Sequence, residues 1–127
     1  MESARMGPVN ATVRFVCELV ALYGIGAGGF AWTDSWIAAV ALPVVAATLW
    51  GVFRVPDDPG VPPVAVPGAL RLAIEAVVLG SGALGLWAAH GPPAGILFTT
   101  VLVVHYATTP GRLRYVWSCR QWGRVER

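Results

Sequence analysis

Four apolar stretches, each long enough to cross a lipid bilayer, dominate this chain of 127 residues. They run over about 11–32, 35–53, 68–90 and 92–109, and the second holds no charged residue. A hydrocarbon core of about 30 Å takes about 20 helical residues, so all four qualify, the last narrowly. Inside a bilayer every backbone N–H and C=O must be satisfied within the protein. These runs lack the alternation of barrel strands, so they should be helices. Composition agrees: 56% of the residues are apolar and 13% charged, about half the charged share of an ordinary soluble domain.

Local signals punctuate the runs. "TDS" at 33–35 offers caps for the second helix, and "GPP" at 91–93 puts proline in the first turn of the fourth, where a missing N–H costs nothing. "TTPG" at 108–111 should stop that helix, and Pro43 should kink the second. Between helices two and three, "RVPDDPGVPPVAVPG" carries five prolines in 15 residues. The 54–67 segment therefore reads as a stiff, extended surface loop. The expected architecture is all-α: an integral membrane four-helix bundle, one domain, with a basic tail at 110–127.

There is no lysine, and the nine arginines are unevenly placed. Arg5 and Arg14 precede the first helix, Arg54 and Arg71 flank the proline loop, and Arg112, Arg114, Arg120, Arg124 and Arg127 follow the fourth. The connections at 31–35 and 90–93 have none. Positive charge stays on the cytoplasmic side, so both termini and the proline loop are expected in the cytoplasm of a multi-pass cell-membrane protein. The apolar run after "MESARMGPVNATVR" is too long for a signal peptide and lacks its cleavage pattern.

A 57-residue shift reveals an internal likeness. "VRFVCELVAL" at 13–22 falls on "LRLAIEAVVL" at 70–79, so Arg14, Glu18, Gly24 and Gly28 coincide with Arg71, Glu75, Ser81 and Gly85. The chain thus reads as two helical hairpins in parallel repeat. At about 100° per residue the ion pair and the small residues share about a third of each helix, a face suited to close packing in lipid. Thr48 and His105, also 57 apart, fall at a matching depth on the returning helices. One polar layer of Glu18, Thr48, Glu75 and His105 is expected about 7–8 Å inside the membrane, with Arg14 and Arg71 just toward the cytoplasm.

Two readings of that layer stand. Two Arg–Glu pairs on facing surfaces could lock the hairpins together as scaffold. Alternatively, ionisable residues within a membrane mark proton, ion or substrate sites, and His105 titrates near neutrality. On that second reading Glu18, Glu75 and His105 are the candidate catalytic groups, and Arg14, Arg71, Thr48 and Trp50 the candidate binding groups. Cys17 and Cys119 lie far apart with no metal-ligand spacing, so neither a metal nor another cofactor is expected. Trp32, Trp36, Trp87, Trp50 and Trp117 read as interfacial belts. The arginine- and tryptophan-bearing tail reads as an interfacial helix on anionic lipid, with no nucleic acid as partner.

"RFVCEL" at 14–19, "WGVFRVPDDP" at 50–59, "RLAIEAVVLG" at 71–80 and "LWAAHG" at 86–91 together resemble the YrdB family of small bacterial membrane proteins. The residues that carry the likeness are Arg14, Glu18, Trp50, Gly51, Phe53, Pro56, Arg71 and Glu75. The resemblance implies a four-helix membrane protein, and a family without an established function. No nucleotide-binding or hydrolase motif is present, and three function classes remain. The first is a binding or accessory membrane protein, alone, self-associated or with a membrane partner. The second is an intramembrane acid/base enzyme, cyclase- or isomerase-type, acting on a lipophilic isoprenoid- or polyketide-like molecule. The third is a small proton-coupled transporter.

Overall fold

A computed structural model describes residues 7–56, 58, 61–120 and 122–123. Arg5, Arg124 and Arg127, used above for orientation, lie outside the described residues. Four long helices follow in order: α1 Pro8–Thr33, α2 Trp36–Val52, α3 Gly68–His90 and α4 Pro92–Ala107, with a short α5 at Pro110–Ser118. By length and composition α1 and α3 could cross a membrane, while α2 and α4 are shorter apolar helices.

The punctuation works as expected. Asp34 closes α1 in a left-handed conformation, its N–H donating to the Phe30 carbonyl at 2.7 Å. The Ser35 hydroxyl then accepts from Ala38 N–H at the start of α2. One residue, Gly91, both ends α3 and precedes α4. Its φ of 93° suits a residue without a Cβ, and Pro92 opens the next helix.

The two long helices run parallel, side by side. Arg14 of α1 reaches Glu75 of α3, and further along Gly24 faces Gly82 and Gly28 faces Gly85. A Cβ added to Gly85 would collide with the Gly24 carbonyl, and one on Gly82 would stand 2.6 Å from the Ala21 Cα. Backbone therefore meets backbone, which only glycine permits at such an approach. Ser81, the expected partner of this face, is exposed; its neighbour Gly82 is the buried residue. The 57-residue offset thus places Gly85 correctly and misses Gly82 by one position.

Helix α2 returns along α1 and α4 along α3. Pro43 lacks the N–H that would bond the Ala39 carbonyl, yet α2 is one helix through that point. Gly26 of α1 lies against the freed carbonyl: a Cβ there would be 2.8 Å from the Ala39 oxygen. The missing side chain lets a neighbouring backbone cover an oxygen left without its helical donor.

The proline loop differs most from expectation. Val55, Asp58, Ala65 and Val66 are buried, so it is a packed cap rather than a surface loop. Phe53–Arg54 (β1) pairs in parallel with Val64–Ala65 (β2), and Ala65 exchanges hydrogen bonds with Gly123 from the tail. Gly68, the first residue of α3, donates to the Cys119 carbonyl at 2.8 Å. A Cβ on Gly68 would run into the Val116 carbonyl. Loop and α5 thus close one end of the helices as a single unit, a tertiary contact for which neither segment carries a local signal.

Candidate functional site

Under that cap the charged side chains gather around one carboxylate. Glu75, on the third helix and 1% exposed, accepts from five donor atoms. Arg71 Nε, one turn earlier, lies at 2.8 Å, and Arg14 Nη1 reaches across from α1 at 3.4 Å. Arg112 of α5 supplies Nη1 at 3.1 Å and Nη2 at 2.7 Å. The Tyr106 hydroxyl of α4 donates at 2.5 Å. Five donors exceed the roughly four acceptor positions of a carboxylate, so Glu75 is saturated.

Arg112 is the second hub. It forks onto Asp58 of the loop, with Nε at 2.8 Å and Nη2 at 2.5 Å, while also holding Glu75. Burial alone would pull the Arg112 guanidinium below its ordinary range. Hydrogen bonds and opposite charges from Asp58 and Glu75 outweigh that and push it above. The cation is therefore permanent. A planar fork suits two carboxylates at once in a way an ammonium would not.

Arg71 also ties off helix α2. Its Nη1 donates to the Trp50 carbonyl at 2.6 Å and the Phe53 carbonyl at 3.0 Å, satisfying acceptors that a helix C-terminus leaves open. The Trp50 ring stacks with both the Arg14 and Arg71 guanidinium groups, 5.0 and 4.5 Å from its centroid. Trp50 is thus part of the cluster. Trp32, Trp36, Trp87 and Trp117 are exposed or nearly half-exposed.

The other expected site residues divide. Glu18 is half-buried, paired with Arg14 Nε at 3.5 Å, and opens onto a cavity of about 220 Å³ with Trp50. Thr48 is exposed on α2 and donates back to the Val44 carbonyl. It takes no part in the cluster, because the α2 face carrying it turns away from α1 and α3. His105 is buried beside Tyr106, and neither ring nitrogen finds a partner among the described residues. The expected four-residue layer is therefore replaced by Arg14, Glu18, Arg71 and Glu75, joined by Asp58, Tyr106 and Arg112. Those three lie in a loop, one position past the histidine singled out, and in the tail. The even distribution of arginine over the tail hid which one turns inward.

Cavities touch this cluster at two separate places, one beside Glu18 and Trp50 and one beside Glu75 and Tyr106. The largest, about 640 Å³, lies between α1 and α2 toward the opposite end and is walled by Tyr23, Phe30, Trp36 and Pro43. It contains none of the expected site residues. Among the described residues no three His, Cys, Asp or Glu side chains come together as a metal site, and both cysteines are free thiols.

These features coincide with a defined family. Residues 12–103 match the family described as a protein of unknown function, DUF2568, and the chain belongs to it. It is similar to "Uncharacterized protein YrdB" of Bacillus subtilis (strain 168), at 28% identity over 120 residues, covering 88% of this chain and 96% of that protein. No solved structure matches the chain. The membership expected from the Arg14–Glu18, Trp50–Pro56 and Arg71–Glu75 motifs thus stands. The matched region ends before Tyr106 and Arg112.

Proposed function

We propose that this chain is a multi-pass protein of the cell membrane that acts by binding, as an accessory or ligand-holding protein, and that its ionic cluster is scaffold. The saturation of Glu75 carries this reading. A general acid or base must present a proton position to its substrate, and both Glu75 oxygens are occupied by donors from α1, α3, α4 and α5. The cavities reaching Glu18 and Glu75 are separate, and His105 lines neither. An acid/base pair sharing one substrate is therefore poorly served.

The membrane half of the reading rests on the outer surface. Phe15, Leu19, Ile37, Val45, Val77, Leu84, Leu97 and Val103 are all more than half exposed. They are spread over the four long helices, an apolar coat far beyond that of a soluble monomer. Arg14, Arg54, Arg71 and Arg112 lie at the capped end, and the connections at Asp34–Ser35 and Gly91 carry no arginine. That asymmetry supports a cytoplasmic position for the cap. At about 1.5 Å per residue, α2 and α4 span about 25 Å, short enough to need a locally thinned bilayer. The parallel lie of α1 and α3 supports the reading of two repeated hairpins forming a bundle.

The test pairs stability with topology. Glu75→Gln in lipid should lower stability sharply; a variant as stable as the parent would overturn the scaffold assignment. Cys119 should react with a membrane-impermeant maleimide only from the cytoplasmic face, and a cysteine placed at Asp34 only from the other. The reverse pattern, or labelling of both from one side, would reject the four-span topology.

A further inference from the structure

The two duplicated Arg–Glu pairs have unequal surroundings. Glu75 is completed by Tyr106 and Arg112, and the positions 57 residues before these are Leu49 and Val55. Neither can donate a side-chain hydrogen bond. Glu18 is left with Arg14 Nε at 3.5 Å and shares its cavity with the Trp50 side chain. Arg14 itself is divided, since its Nη1 also serves Glu75 at 3.4 Å. Both distances exceed the roughly 2.7–2.9 Å of a strong charge-assisted bond. Glu18 therefore keeps acceptor capacity that Glu75 has filled.

Where Glu75 is covered by a guanidinium from α5, Glu18 faces open space. Its cavity of about 220 Å³ is bounded by α1, α2 and α3, and Phe15, Leu19, Leu22 and Val78 form its apolar wall. Phe15 and Leu19 are 58% and 51% exposed, so the opening lies on the lateral, apolar surface rather than under the cap.

We propose that this cavity binds a lipophilic amine, its primary ammonium on the Glu18 carboxylate and its apolar body against Phe15, Leu19, Leu22 and Val78. The ligand would supply to Glu18 the cationic donor that the protein itself supplies to Glu75 through Arg112. This rests on the binding reading above and names a ligand class for it. The apolar wall and lateral mouth select a molecule that partitions into the bilayer. The carboxylate selects, among such molecules, a cation with N–H donors over an alcohol of the same length.

The full chain in phosphatidylcholine nanodiscs, titrated with dodecylammonium and separately with dodecanol, tests this. Binding is read against empty discs and through the ¹³C resonance of the Glu18 carboxylate. The expected result is saturable dodecylammonium binding that shifts the Glu18 signal, with dodecanol at least about tenfold weaker. Glu18→Gln should weaken the ammonium by a similar factor. Ala47→Phe, which fills the cavity without touching the carboxylate, should abolish binding and decides the matter if the first variant does not fold. Equal affinity for amine and alcohol overturns the cationic assignment and leaves the binding reading standing. Binding unchanged in Ala47→Phe, or no saturable dodecylammonium binding at all, overturns the site; the scaffold and topology reading falls only to its own tests. Phosphatidylethanolamine added to the discs should not compete, since its ammonium is held at the headgroup level. Competition would overturn the free amine in favour of a bilayer lipid.

Discussion

Arg112 closes on Glu75 from 37 residues downstream, Nη2 to Oε2 at 2.7 Å, and the same guanidinium holds Asp58. One tail side chain thus joins the third helix to the proline loop. Arg112→Gln should leave two carboxylates short of their cation in a buried place. A loss of about 3–5 kcal/mol is expected, as for other broken buried pairs. Hydrogen exchange should rise in α5 and in 61–67 before it rises in α1 or α3. Arg112→Lys should recover only part of the loss, because an ammonium cannot fork onto both acids.

The two glutamates should behave unequally. Glu75→Gln strands Arg14, Arg71 and Arg112 around a neutral amide, and is expected to cost about 3 kcal/mol or more. Glu18→Gln removes one long, partly exposed pair, and less than about 1 kcal/mol should follow. Denaturation in lipid or mild detergent compares them directly. Equal losses would mean that the two Arg–Glu pairs are energetically equivalent, contrary to the contacts seen.

Glycines offer a sharper geometric test. Gly24→Ala and Gly85→Ala each drive a methyl group into the opposing backbone, and overpacking of that kind typically costs about 1–3 kcal/mol. Gly80 sits on the same helix with nothing within 4 Å of an added Cβ. Gly80→Ala should be neutral or stabilising by up to about 1 kcal/mol, the difference in helix propensity. Thermal unfolding of the three variants separates steric from propensity effects.

Tyr106→Phe removes a single donor from Glu75 Oε1, which retains Arg14 and Arg112. A modest loss of about 1 kcal/mol is expected, below the usual range for a hydrogen bond to a charge. A much larger loss would mark Tyr106 as the organiser of the cluster.

Much of this architecture is legible along the chain. The bounds of α3, the stop at Thr108–Pro110 and the breaks at Asp34 and Gly91 follow from apolar run length, proline and capping residues. These are local rules, and they act wherever the sequence places them. The Arg14–Glu18 and Arg71–Glu75 spacings likewise put each pair on one helical face. Equal depth does not fix azimuth, and the α2 face that carries Thr48 turns away from the cluster. Gly82, rather than Ser81, meets α1 for the same reason, since a one-residue change of helical phase is decided by how two backbones settle.

By itself, then, the sequence determined that the chain is helical, where α3 begins and ends, where the chain breaks at Asp34 and Gly91, which family it belongs to, and that two Arg–Glu pairs occupy equivalent helical positions. Tertiary structure alone decided that the pairs are not equivalent. Glu75 is buried and saturated because α5 folds back under the proline loop and delivers Arg112, while Glu18 has Leu49 and Val55 where Glu75 has Tyr106 and Arg112. Helix periodicity is a short-range property that can be read in order along a chain. The partners of a buried charge come from segments distant in sequence, and only the packing that brings those segments together determines which charge is covered and which is left open.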